Sequence, residues 1–175
     1  MKRFAMFAAA LFATVCVSAQ SYYPGDKGVI KRDGYTYCYI FNGMGKLLFN
    51  ADCKFIYEQE TYKGSMVEPT GMRNFTKVNV THSQLNALVT EQLSAEQKKM
   101  MAGHQFSPLM NIDAKTGRVA DVWFILAGDD NYRNKIPVET YRKIELALKE
   151  KVIFTVTEEC RNHKNFFIYP VMIQF

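Results

Sequence analysis

Two stretches of this chain alternate strictly, and between them they dictate a sheet. Tyr35-Thr36-Tyr37-Cys38-Tyr39-Ile40-Phe41 places Tyr35, Tyr37, Tyr39 and Phe41 on one side of an extended backbone. At the other end Phe167, Tyr169, Val171, Ile173 and Phe175 repeat the pattern. Aromatic residues make up 14% of the 175 residues and hydrophobic residues 48%, which excludes a disordered or collagen-like chain and leaves one ordinary folded domain.

Periodicity and turn chemistry fill in the rest. Asn42-Gly43-Met44-Gly45 accepts positive φ and turns the first strand into Lys46-Leu47-Leu48-Phe49. The alternation of Cys53, Phe55 and Tyr57 predicts a third strand from Cys53 to Glu58, so the N-terminal third reads as a small antiparallel meander. Residues 63–71 contain two glycines and a proline and form a candidate internal boundary. A short strand is expected over Phe75 to Val80. Thr81-His82-Ser83-Gln84 and Ser94-Ala95-Glu96-Gln97 both have capping-box form and open two helices.

Further on, Pro108 to Ile112 and Arg118 to Leu126 are apolar runs joined by Asp113-Ala114-Lys115-Thr116-Gly117, a hairpin with an aspartate to cap the turn and a glycine for its left-handed position. Pro137 suits the start of a third helix with the apolar stripe Val138, Tyr141, Ile144 and Leu148. Glu139 with Lys143 and Glu145 with Lys149 are i,i+4 pairs on it. Strands from Val152 to Thr157 and from Phe166 to Phe175 complete an α+β fold, an antiparallel sheet of hairpins with two or three packed helices.

The N-terminus carries a different message. Lys2 and Arg3 precede an apolar run from Phe4 to Val17, and Val17-Ser18-Ala19 ends in the small residues of a cleavage site, so residues 1–19 read as a secretory signal peptide. The run is shorter than the roughly 20 apolar residues that cross a bilayer, so no transmembrane anchor is expected after cleavage. Cys16 follows Val15 inside that run and lacks the small preceding residue of a lipidation site. The expected product is one exported domain, residues 20–175, periplasmic or secreted. Losing Lys2 and Arg3 lowers the formal charge from +5 to +3. The remaining basic residues form no dense stripe with stacking aromatics, which argues against nucleic acid.

Three cysteines remain. Cys38 with Cys53 is the candidate disulfide of an oxidising compartment, weighed against buried thiols, because bridging needs Cα atoms within about 7 Å and a meander separates its first and third strands. Cys160 lies three residues from His163 and beside Arg161, the one place where a thiol nucleophile could be activated by an imidazole base. Glu158 and Glu159 oppose activation of that thiol, and no orienting third group is evident. His82 and His104 stand alone. Asp113, Asp121, Asp129 and Asp130 do not match a calcium loop, and no metal site or cofactor is expected.

The strand, strand, helix, strand, strand order at the C-terminus is carried by Ile112-Asp113, Thr116-Gly117-Arg118-Val119, Asp121-Val122 with Phe124, and the Pro137 helix leading into Val152-Ile153-Phe154. It resembles the TonB carboxyl-terminal domain. As a whole the chain resembles short exported uncharacterised proteins of Bacteroides-type Gram-negative bacteria, which implies an envelope or secreted location and no particular activity.

Three functional readings follow. The favoured one is a non-enzymatic interaction module of the envelope, binding a protein, peptide or glycan, with Tyr35, Tyr37 and Tyr39 as a binding platform if that face is not core. The second is a small secreted hydrolase using Cys160 and His163. The third is a small outer-membrane barrel, suggested by the alternating strand that ends in Phe175, although the helices and the apolar opposite face of that strand speak for a soluble sheet.

Overall fold

The computed structural model describes residues 22–41, 45–56, 58, 60–66, 77–126, 132–158 and 160–175. The signal-peptide reading, Asp129 and Asp130, and most of the candidate boundary fall outside them.

Six strands form one open sheet in the order β1-β2-β3-β8-β7-β9, and every neighbouring pair is antiparallel. They are β1 (Lys27–Arg32), β2 (Tyr35–Phe41), β3 (Lys46–Asn50), β7 (Pro108–Asp113), β8 (Val119–Leu126) and β9 (Phe166–Pro170). Two small ladders flank it, β4 (Thr61–Tyr62) with β5 (Ser65–Met66), and β6 (Gln105–Phe106) with β10 (Ile173–Gln174). Helices α1 (His82–Thr90), α2 (Ala95–Met101) and α3 (Val138–Lys151) complete an α+β architecture. An open sheet with β1 and β9 as its edges overturns the barrel reading.

Local chemistry explains most of the elements. The Thr81 and Ser94 hydroxyls each accept the N–H three residues on, and their own backbone N–H groups donate to the Gln84 and Gln97 side-chain oxygens, so both capping boxes are formed. At the β7–β8 turn the Asp113 carboxylate accepts from the Lys115 and Thr116 N–H groups and from the Thr116 hydroxyl, and Gly117 takes φ +71°. Gly117 is required twice over, because a Cβ there would also collide with the Phe154 carbonyl, which lies against the turn. On α3 the stripe Val138, Tyr141, Ile144 and Leu148 is buried, each side chain worth roughly 1.5–3 kcal/mol.

This stripe covers one face of the sheet. Tyr141 packs on Phe124 with ring centroids 4.7 Å apart, and Tyr23, from the segment before β1, sits between Tyr39 and Tyr141 and donates its hydroxyl to the Ile136 carbonyl. Glu145 is the unexpected member of the interface. It is fully buried, accepts from the Tyr37 hydroxyl, and pairs with Arg142 at 3.0 Å and Lys149 at 2.8 Å. Burial alone raises a carboxyl pKa, but here Lys149, Tyr37 and Arg142 outweigh it and hold Glu145 below its ordinary value. Glu139 reaches across to Arg32 on β1 at 2.6 Å, a partner other than the Lys143 suggested by helical spacing.

Four expectations from the sequence are corrected. The strand expected from Cys53 to Glu58 does not extend the meander in its described residues, 53–56 and 58, because β8 takes the open edge of β3, setting Leu48 opposite Phe124 and Phe49 opposite Trp123. The meander is instead β1-β2-β3, with β1 joined to β2 through Asp33-Gly34. Residues Val152 to Thr157 make only isolated bridges, Ile153 with Arg118 and Phe154 with Val78, and Val78 is the one bridging residue among the described part of the strand expected over Phe75 to Val80. The terminal run breaks after Pro170, where Val171 donates to the Pro108 carbonyl and the chain leaves β7 to pair with β6.

Candidate functional site: the outer face of the sheet

The sheet face away from α3 is where this fold exposes chemistry. Cross-strand registers align an apolar row across all six strands: Val29 opposite Cys38, Cys38 opposite Phe49, Phe49 opposite Trp123, Trp123 opposite Leu109 and Leu109 opposite Pro170. A second row sets Ile40 opposite Leu47 and Leu47 opposite Ile125. Residues directly opposite in an antiparallel pair share a face, so both rows form one surface.

That surface is covered at one end and bare at the other. After β3 the chain turns back, and the buried Asp121 carboxylate accepts the N–H groups of Lys54 at 3.0 Å and Phe55 at 2.9 Å. Phe55 then stacks on Phe166 with centroids 4.7 Å apart. Beside this strap lies a groove of about 150 Å³ lined by Leu47, Phe55, Ile56, Trp123, Phe166 and Ile168, with the Trp123 indole N–H donating to the Asn111 side-chain carbonyl. Toward β1 the cover ends, leaving Val29 60% and Ile40 42% exposed.

The residues singled out from the sequence fall elsewhere. Tyr37 and Tyr39 point into the core under α3, Tyr35 is half-buried beside Arg142, and Tyr39 donates to the Pro24 carbonyl. Their faces are therefore committed to packing, because α3 covers the side of the sheet to which the row points. Cys38 and Cys53 are free thiols, and no bridge joins them. The reason is positional: Cys38 lies mid-strand opposite Phe49, whereas Cys53 closes the turn beyond β3 by donating its N–H to the Asn50 carbonyl. Burial, reinforced by Asp121, pushes the Cys53 thiol up to about 12.

Cys160 and His163 share one turn but face different partners. The Cys160 sulfur is 3.3 Å from the Thr157 hydroxyl and only 1% of the residue is exposed. His163 Nδ1 lies 3.4 Å from a Glu60 carboxylate oxygen, with both side chains 3% exposed. Glu60 is a carboxyl neighbour of His163 that the sequence did not reveal, and neither the thiol nor the imidazole is presented to solvent. Burial raises Glu60 to about 7 and lowers His163. His82 begins α1, and His104 stacks on Tyr132 at 4.4 Å. Among the described residues no three His, Cys, Asp or Glu side chains cluster to hold a metal. No helix among them is long and apolar enough to cross a membrane.

An open antiparallel sheet with its helices on one face and a half-bare apolar surface on the other defines the class: an α+β sheet protein with a one-sided helical layer. The model of the family described as Domain of unknown function (DUF5043) matches residues 20–170, and the chain belongs to that family. It is similar to the crystal structure of a DUF5043 family protein from Bacteroides uniformis ATCC 8492, with a TM-score of 0.79 at 24% identity over 90% of this chain and 89% of that one. That likeness shows a shared fold. No curated protein matches the sequence.

Proposed function

We propose that the protein is an exported, non-catalytic interaction module of the bacterial envelope, a single domain over residues 20–175 that binds a protein, peptide or glycan through the outer face of its six-stranded sheet. The apolar row from Val29 to Pro170, bare at its β1 end, carries this reading, because exposed apolar residues gathered in one patch mark interaction surfaces. Export is supported by Lys2-Arg3, the apolar run to Val17 and the small residues before Gln20. The family match also begins at residue 20, where the mature chain would start. The resemblance of the C-terminal part to the TonB carboxyl-terminal domain adds an envelope setting.

The test compares two similarly exposed positions. Residues 20–175 immobilised over an envelope extract should retain partners that are lost with Ile40→Glu on the outer face and kept with Leu146→Glu on α3. Partners lost equally with both variants, or no selective retention at all, count against the outer face.

A further inference from the structure

The β1 edge of the sheet presents its main-chain groups and side chains in a fixed alternation. In an antiparallel pair, residues alternate between those bonded to the partner strand and those whose N–H and C=O point away from it. The Phe41 N–H donates to the Asp26 carbonyl at 2.6 Å, which makes Asp26 and Phe41 a bonded pair. With Lys27 opposite Ile40 and Val29 opposite Cys38, the alternation turns the main-chain groups of Lys27, Val29 and Lys31 to the free edge. The Lys31 carbonyl accordingly accepts from the Arg32 guanidinium outside the ladder. Among the described residues no strand pairs with this edge.

The side chains along that edge sort by face. Ile30 packs against the core and Arg32 is bonded to Glu139 of α3. On the outer face Lys27, Val29 and Lys31 are exposed in succession, and neither lysine forms an ion pair among the described residues. Asp26 and Asp33 lie just beyond the two ends of β1. Lysines on an edge strand disfavour pairing with a second copy of the same strand, since like charges would face each other. The same two charges select an acidic partner.

From this we infer that β1 binds an extended segment of a partner protein by strand addition, and that the segment carries acidic, apolar and acidic residues at alternate positions opposite Lys27, Val29 and Lys31. Main-chain bonds to the edge supply affinity, and the alternating side chains supply selectivity. The inference rests on the interaction reading above and specifies its partner.

The test uses residues 20–175 with two fluorescent peptides, Thr-Glu-Thr-Val-Thr-Glu-Thr and its counterpart with lysine in place of both glutamates. Anisotropy at low salt should show the acidic peptide bound at least about tenfold more tightly, with the difference shrinking as salt is added. Val29→Pro removes an N–H that faces solvent, a position where an edge strand tolerates proline, so it should abolish binding while the thermal midpoint holds. The pair Lys27→Glu and Lys31→Glu should invert the preference and decides the matter should Val29→Pro fail to fold. Failure of the acidic peptide to bind, equal binding of both peptides, or full binding by folded Val29→Pro overturns the inference. Envelope partners that survive Val29→Pro and are lost with Ile40→Glu also overturn it, while leaving the outer-face reading intact.

Discussion

Single residues decide several features that no periodicity encodes. Gly117 combines φ +71° with contact against the Phe154 carbonyl, so Gly117→Ala forces both the turn and the Phe154 segment to move. A loss of about 1–3 kcal/mol in urea unfolding is expected, the cost of one strained backbone residue, and an unchanged midpoint contradicts the assignment. Glu60 and His163 give a prediction of sign. Glu60 keeps its proton in the folded protein up to about pH 7, against 4.5 when exposed, so its contribution is intact in acid and is lost as pH rises through about 7. His163, lowered from 6.5, contributes in the opposite sense, losing stability as pH falls below that value. The two contributions therefore have opposite signs in the parent protein. Glu60→Gln should therefore leave stability rising from pH 5 to 7, and His163→Asn should leave it falling over the same range. Slopes of the same sign in the two variants refute the opposite shifts of the two buried groups.

At the level of elements, the legible parts were those whose signals are local. Both capping boxes, the Asp113 to Gly117 turn and the α3 stripe are written within a few residues of where they act, and each formed as expected. Strand neighbours are decided far along the chain. The alternation at Cys53, Phe55 and Tyr57 resembled a strand, but β8 occupied the edge it needed, and Asp121 fastened the segment across the outer face instead. Asp33-Gly34, a turn dipeptide between two extended runs, was a signal for β1 that the polar lead concealed. Glu145 illustrates the opposite limit, since its i,i+4 spacing to Lys149 was correct while its burial under Tyr37 depended on how α3 sits on the sheet. Removing the strap's anchor with Asp121→Ala should cost about 1.5–3 kcal/mol, the scale of a hydrogen bond to a charged group. It should also speed amide exchange at Lys54 and Phe55 ahead of the rest of the sheet. Uniform acceleration throughout the sheet points to a general packing defect.

For the whole molecule, asymmetry between the two sheet faces is the main property. One face is closed by α3 and by aromatic packing from Tyr23 to Phe124, while the other carries an apolar row that the strap at Lys54 and Phe55 covers only in part. Aromatic residues are divided between the two faces, with Tyr37 and Tyr39, which mark the chain as a sheet, in the core and Trp123 on the outer face. The site was thus invisible to local patterning, because it exists only where six strands from distant parts of the chain come into register. A photo-crosslinking residue placed at position 40, and in a second strain at position 146, tests this most directly in intact cells. A discrete covalent adduct is expected from position 40 and none from position 146. Adducts from position 146 alone, or no adduct from position 40, contradict it.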